Sequence, residues 1–214
     1  MTSISIFPIP NCVCFPGTIF PLHVFEPRYR SMVKHCLDTG QLLAVAHTQK
    51  VVSESKSNGS LEEALKSNQT TYKPFPIFSA GRCELLEELD DGRMYLQIHM
   101  ESRFSAVKEI QTLPYSVFEC DLVEDEVLSA ADEVDLKQLQ QKILSRLLAI
   151  TSDTPDVNAI LNSPAWTDKK PIDFSFEVFT LLQFDGDVQQ QILEMTEPQA
   201  RLAYLLTLLN SRKF

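Results

Sequence analysis

Cys12-Val13-Cys14 is the sharpest local feature of the sequence. In an extended segment both sulfurs point to one face. That pairing suits a soft metal or thiol redox chemistry. It equally suits two small apolar side chains packed beneath the Pro8–Pro16 loop, since unpaired cysteine is among the most buried residue types. His35-Cys36 has the residue types of an activated thiolate, but adjacent helix residues do not face each other, and Cys36 falls on an apolar stripe. Glu84, Glu87, Glu88, Asp90 and Asp91 gather carboxylates. Burial can split such groups into acid and base, whereas at a hairpin tip they form a solvated face. Tyr95, Gln97 and His99 line one side of a strand, which fits a ligand site or a half-solvated sheet face alike. His23, His35, His47 and His99 lie at least 12 residues apart, so neither HExxH nor HxH occurs. The expectation is no catalytic residue, no metal and no cofactor.

The six glycines are too widely separated for phosphate or dinucleotide loops. Neither GxxxxGK[ST], GxGxxG nor GxSxG can be written. The 214 residues are 44% apolar and 22% charged, enough to bury a core. The net charge of −10 opposes sequence-independent nucleic-acid binding and docking on anionic lipid. Five cysteines, an odd number without a CxxC pair, fit reduced thiols better than a disulfide framework. Met1–Pro10 lacks the basic and apolar regions of a signal peptide, and Leu202–Leu209 is far too short to span a membrane. A cytoplasmic location is expected.

These residues need elements to hold them. The first 125 residues read as mostly β. Strands are expected at Ser3–Phe7, Thr18–Phe25, Leu42–His47, Arg82–Leu89, Met94–Met100, Phe104–Ile110 and Tyr115–Leu122. Asp91-Gly92 predicts a tight hairpin turn. One helix interrupts this lobe. Pro27 suits its first turn, Tyr29, Met32, Val33, Cys36 and Leu37 form its apolar face, and Gly40 ends it. Val51–Tyr72 reads as a long polar loop with a helical turn at Leu61–Lys66. Beyond residue 125 the period becomes helical. Leu136, Leu139, Ile143, Leu147 and Ile150 stripe Ser129–Ile150, and Phe174–Phe184 is a short helix candidate. Asp187 with Gln190, and Thr196 with Gln199, fit capping boxes. Leu202, Leu205, Leu206 and Leu209 supply a buried face to the last helix. The fold class is therefore α+β, with a β-rich lobe over 1–125 and an all-helical lobe over 126–214.

Residues Ile6–Tyr29 read IFPIPNCVCFPGTIFPLHVFEPRY. Phe7-Pro8, Phe15-Pro16-Gly17, Pro21-Leu22-His23-Val24-Phe25-Glu26 and Pro27-Arg28-Tyr29 resemble the opening of the Lon protease N-terminal, substrate-binding domain. Asp91-Gly92-Arg93 is similar to that family's hairpin, Arg103-Phe104 to its R-F strand start, and Gln199–Leu209 to its terminal helix. The sequence departs from the pattern at Glu101-Ser102, at Ala80-Gly81-Arg82 and over 51–72.

The resemblance implies a PUA-like pseudo-barrel followed by a helical bundle. It implies a stand-alone Lon substrate-binding domain without ATP-driven proteolysis of its own. The expected partners are polypeptide clients, unfolded or bound for degradation, or a protease or larger assembly that the chain serves as adaptor. RNA binding, by analogy to the PUA-like fold, and a thiol-dependent hydrolase are the lesser alternatives. Glu26, Arg28, Tyr29 and Arg30 are the expected protein-binding residues. Glu26 is also placed to accept backbone N–H groups at the helix start, with Arg28 or Arg30 as its ion partner.

Overall fold

The computed structural model describes residues 1–53 and 71–211, with side chains described for 1–49 and 73–211. Two compact units result. The first comprises Met1–Val123 and Phe184–Leu193, and the second Glu124–Gln183 and Glu194–Phe214.

The first unit is built on strands β1 (Thr2–Pro8), β2 (Ile19–Val24), β3 (Leu42–Ala46), β6 (Ile77–Glu88), β7 (Met94–Gln111) and β8 (Val117–Val123). Their order is β2-β7-β6-β3-β1-β8, and β7 also pairs with β8. The sheet thus closes on itself, leaving β2 outside the ring along the first half of β7. β1 and β3 run parallel, from Ile4 opposite Leu42 to Pro8 opposite Ala46. The connection between them includes β2 and helix α1 (Pro27–Thr39). β3 is buried on both faces: Leu43 and Val45 join one apolar cluster, Ala44 and Ala46 the other. This accounts for its unbroken apolar sequence.

Helix α1 follows its sequence pattern. Pro27 opens the helix, and Tyr29, Met32, Val33 and Cys36 are buried. Gly40 takes a left-handed conformation at φ 71°, and its N–H closes on the Cys36 carbonyl. A side chain there would be strained, and glycine is not.

Several expectations change. Met94–Met100 and Phe104–Ile110 are one strand of 18 residues, and Arg103-Phe104 lies in its middle rather than at a start. Register shifts at Ala80/Gly81 and Leu85/Glu87 against β6, and at Ala106/Lys108 and Glu109/Gln111 against β8, bend it. β6 starts at Ile77, five residues before the expected Arg82. The ends of the expected loop are strands β4 (Thr48–Ser53) and β5 (Thr71–Pro74), which pair with each other. The helical turn expected at Leu61–Lys66 lies outside the described residues.

The second unit contains α2 (Ala130–Ile150), α3 (Pro155–Leu161), α4 (Pro164–Thr167), α5 (Pro171–Glu177), a 3-10 turn (Val178–Leu181) and α7 (Pro198–Ser211). The expected single helix over Phe174–Phe184 is instead the end of α5 plus that turn. Ser129 caps α2 in a reciprocal box with Asp132, and these bonds hold the Asp132 carboxyl below its ordinary range. Leu136, Ile143, Phe174, Leu202, Leu205 and Leu209 are fully buried. Among them lies Arg201, wholly buried and bidentate to Asp125 at 2.7 and 2.5 Å. Its Nε donates to Ser175 and its guanidinium covers the Phe176 ring at 3.9 Å.

Helix α6 (Gly186–Glu194) belongs, through residue 193, to the first unit. His47 Nδ1 accepts from the Asn11 N–H at 3.0 Å, and its Nε2 lies 3.2 Å from Asp187. Gln190 donates to the Ile77 carbonyl, and Arg103 to the Leu193 carbonyl. Asp187 and Gln190, expected to form a capping box, thus reach across to the sheet. Gln199 likewise reaches from α7 to the Asp132 carbonyl.

Where β7 carries one extra residue opposite Ala80-Gly81, a Cβ on Gly81 would stand 1.7 Å from the His99 carbonyl oxygen. Backbone blocks that position, so no rotamer change relieves it. Gly81→Ala should lower unfolding free energy by about 4 kcal/mol or more. Denaturant unfolding of the two proteins checks this, and a change below about 1 kcal/mol would refute the collision.

Candidate functional site

The expected binding residues sit where β1 runs out and α1 begins. Pro27 fixes the first turn of α1, and Glu26 before it is extended, at φ −65° and ψ 133°. The next two residues therefore turn back toward β1. Tyr29 stacks on Phe7 with ring centroids 4.1 Å apart, and the Arg28 guanidinium lies 4.5 Å from the Tyr29 ring. Arg28 Nε donates to Glu26 Oε2 at 3.0 Å. Glu26 and Arg28 are each 8% exposed and Tyr29 is 5% exposed.

Three of the four expected residues are thus brought together, and Arg30 is not among them. Its Nη1 donates to the Asp91 carbonyl at 3.1 Å, over Gly92 in the β6–β7 hairpin. Glu26 is corrected in role: its side chain makes no cap hydrogen bond and pairs with Arg28 instead. A guanidinium two residues on offers a charge-assisted partner, which outweighs a neutral backbone donor.

Two clefts share Arg28 and Tyr29. One, of about 380 Å³, runs from Ile6 and Pro8 past Tyr29 to Pro114 and Phe118, with Lys73 and Glu109 also lining it. The other, of about 340 Å³, lies between Pro8–Pro10 and His23–Phe25 and includes Glu26 and Arg28. The lining is mainly apolar, and each cationic group has a carboxylate in the same cleft or beside it. Such a lining offers apolar contact rather than a fixed charge.

Leu113, 77% exposed in the turn between β7 and β8, was not legible as a site residue. Its signal was an isolated Leu-Pro in a turn. The remaining candidates fall elsewhere. Glu84 meets His99, Glu88 meets Lys34 and Asp91 meets Arg93, a solvated face. Tyr95 stacks on His23 at 4.4 Å. His35 is exposed and bonds Gln41, pointing away from buried Cys36. Among the described residues, no group of three or more His, Cys, Asp or Glu is placed to hold a metal ion, and no helix is long and apolar enough to cross a membrane.

Breaking this ion pair from one side strands a charge in the interior. Arg28→Ala should cost about 3–5 kcal/mol, and Glu26→Gln/Arg28→Met should recover most of it. Equal losses in both, read by chemical denaturation, would deny the pair this role. Burial pushes the Tyr29 phenol from 10.0 up to about 12, against the opposing pull of Arg28. The folded group binds its proton more tightly than the unfolded one. Its stabilising contribution is therefore full below pH 10.0 and is lost by about pH 12. Tyr29→Phe should remove a loss on the order of 2 kcal/mol from that window. An unchanged alkaline limb would rule this out.

The family model for the ATP-dependent protease La (LON) substrate-binding domain matches residues 3–211. The Lon protease of Anaeromyxobacter dehalogenans is 21% identical over 98% of this chain and 23% of its own length. Lon protease 2 of Myxococcus xanthus is 22% identical over 98% of this chain and 24% of its own. The chain therefore spans about a quarter of the curated relatives it matches. A crystal structure of a Lon N-terminal domain protein from Xanthomonas campestris superimposes with a TM-score of 0.60, at 22% identity, covering 97% of this chain and 98% of that one. The N-terminal domain of a Mycobacterium avium complex Lon protease gives 0.70 at 11% identity, covering 99% and 100%. These two likenesses establish the α+β fold, a sheet-rich N-terminal region with a helical C-terminal part. Matched over nearly its whole length, the chain belongs to the LON substrate-binding domain family.

Proposed function

We propose that the chain is a non-catalytic polypeptide-binding module, which takes extended apolar segments of unfolded or degradation-bound proteins into the cleft beside Tyr29. Family membership supports a substrate-binding role. The observation that carries the finer reading is the mainly apolar cleft of about 380 Å³ lined by Pro8, Tyr29 and Pro114. Prolines and a stacked tyrosine give it rigid walls, so little ordering is needed on binding. Arg28 and Tyr29 act as its floor and Leu113 as its exposed rim. The polypeptide comes from a client, at a cytoplasmic location. An adaptor role is the second reading, since the relatives it matches are Lon proteases.

The burial of Arg28 and Tyr29 decides how to test this, because alanine there would damage the fold before it reported on binding. Leu113→Asp alters the rim alone. A fluorescently labelled, reduced and carboxymethylated polypeptide should bind the wild-type chain with micromolar affinity. Leu113→Asp should weaken that at least about tenfold, the cost of losing one apolar anchor. Ile160→Asp, exposed in the second unit, should not. Absence of binding to the wild type, with a single folded partner retained instead, would favour the adaptor.

A further inference from the structure

Proline at the second position of a tight turn and a left-handed residue at the third define a type II turn. Ile9–Cys12 has this form. Pro10 is followed by Asn11 at φ 55°, and the Cys12 N–H closes on the Ile9 carbonyl at 3.3 Å. Among the described residues, Asn11 alone has a positive φ without being glycine. Asparagine tolerates that conformation but does not prefer it, so a partner must hold it there. The type II form aims the N–H of the Pro10–Asn11 peptide out of the turn, and that N–H donates to Nδ1 of His47 at 3.0 Å.

A backbone N–H can only donate. Nδ1 therefore carries no proton, and the hydrogen of the neutral ring is on Nε2. Nε2 lies 3.2 Å from Asp187 Oδ1 on α6. His47, between β3 and β4, is 5% exposed and stacks on Phe75 with centroids 5.0 Å apart. Gly186, at the start of α6, packs directly on the Asn11 backbone. Each element around the ring thus contributes one group. The turn presents Asn11, the segment after β5 presents Phe75, and α6 presents Asp187, the charged group that faces the ring. Among the described residues the ring makes no other polar contact.

We propose that His47 is a proton switch for the Ile9–Cys12 turn. With the ring neutral, Nδ1 accepts from Asn11 and the turn is type II. When a proton from solvent occupies Nδ1, two donors face each other there. Rotation of the Pro10–Asn11 peptide relieves this. Its N–H turns away, and the Pro10 carbonyl takes its place and accepts from the imidazolium. The product is a type I turn, in which Asn11 returns to negative φ. Both turn types keep the Cys12–Ile9 bond, so the rotation gives up only the bond it replaces. Asp187 accepts from Nε2 in both states and keeps the ring in place. Imidazole changes charge between about pH 5 and 8, which sets where the switch acts. Ile9 and Pro10 line the cleft of about 340 Å³ together with His23 and Phe25. The rotation therefore changes one wall of that cleft, whatever the cleft takes.

Nuclear magnetic resonance of the full-length labelled chain, from about pH 8 to about pH 5.5, reads both halves of the switch. In a type II turn the Pro10 Hα lies close to the Asn11 N–H, and in a type I turn it does not. A strong cross-peak between them at the upper end should give way to a weak one at the lower end. The change should share its midpoint with the protonation of the His47 ring. Asn11→Gly accepts positive φ freely and should move that midpoint to lower pH. Asn11→Ala resists positive φ and should move it higher, each by roughly half a unit. His47→Gln should abolish the transition, and the wild-type and Asn11 titrations decide the matter if that variant misfolds. A cross-peak that stays strong while His47 titrates, a midpoint indifferent to residue 11, or a ring that gains its proton only as the chain unfolds would each overturn the proposal.

Discussion

The first unit depends on one constraint, that a single strand must serve three partners. β7 pairs with β2 and β6 through its first half and with β8 through its second. Straight, its 18 residues would extend about 60 Å, several times a usual strand. It must therefore bend, and it does so where the register shifts. Closure follows from the bend, because only then can β8 lie between β1 and the far end of β7. A closed ring also leaves few open edges for unwanted pairing. Of the strands in the larger sheet, β2 alone has one partner, and Pro21 at its centre withholds a backbone donor.

The sequence was most readable where one face alone decides the outcome. The α1 stripe, its proline start and glycine stop, and the Asp91-Gly92 turn are local signals, and the structure follows each of them. Bulges are not local in that sense. At Glu101-Ser102-Arg103 the polar residues looked like a break between strands, yet the strand continues and Arg103 is buried against the Leu193 carbonyl. The cost of that buried charge is met by a group 90 residues away, which no periodicity displays. Gln190 and Gln199 also donate to carbonyls far along the chain, those of Ile77 and Asp132, which no local rule displays. Short polar strands such as β4 and β5 lack the apolar alternation that marks a strand.

For the site, motif and mechanism separate. The residues of the Glu26–Tyr29 motif are mostly interior. A neutralised ion pair beneath a stacked tyrosine makes a floor that is firm and almost without net charge. The cleft beside it is lined by apolar walls and by exposed Leu113, which the motif does not include. The pattern of residues thus locates the cleft without naming the side chain that rims it. The same burial that fixes the floor explains why Arg30, outside the cleft, serves the hairpin instead.

The first unit is discontinuous along the chain. Asp187, Gln190 and Leu193, on helix α6, complete a unit whose strands end by Val123. During synthesis the sheet residues leave the ribosome first, and the whole helical segment from Glu124 to Gln183 must follow before the last piece is available. His47, the Ile77 carbonyl and the Arg103 guanidinium lack these bonds until then. A nascent chain of this design carries an unfinished sheet through that interval, the period in which exposed polar and apolar groups are most open to chaperones and to neighbouring chains.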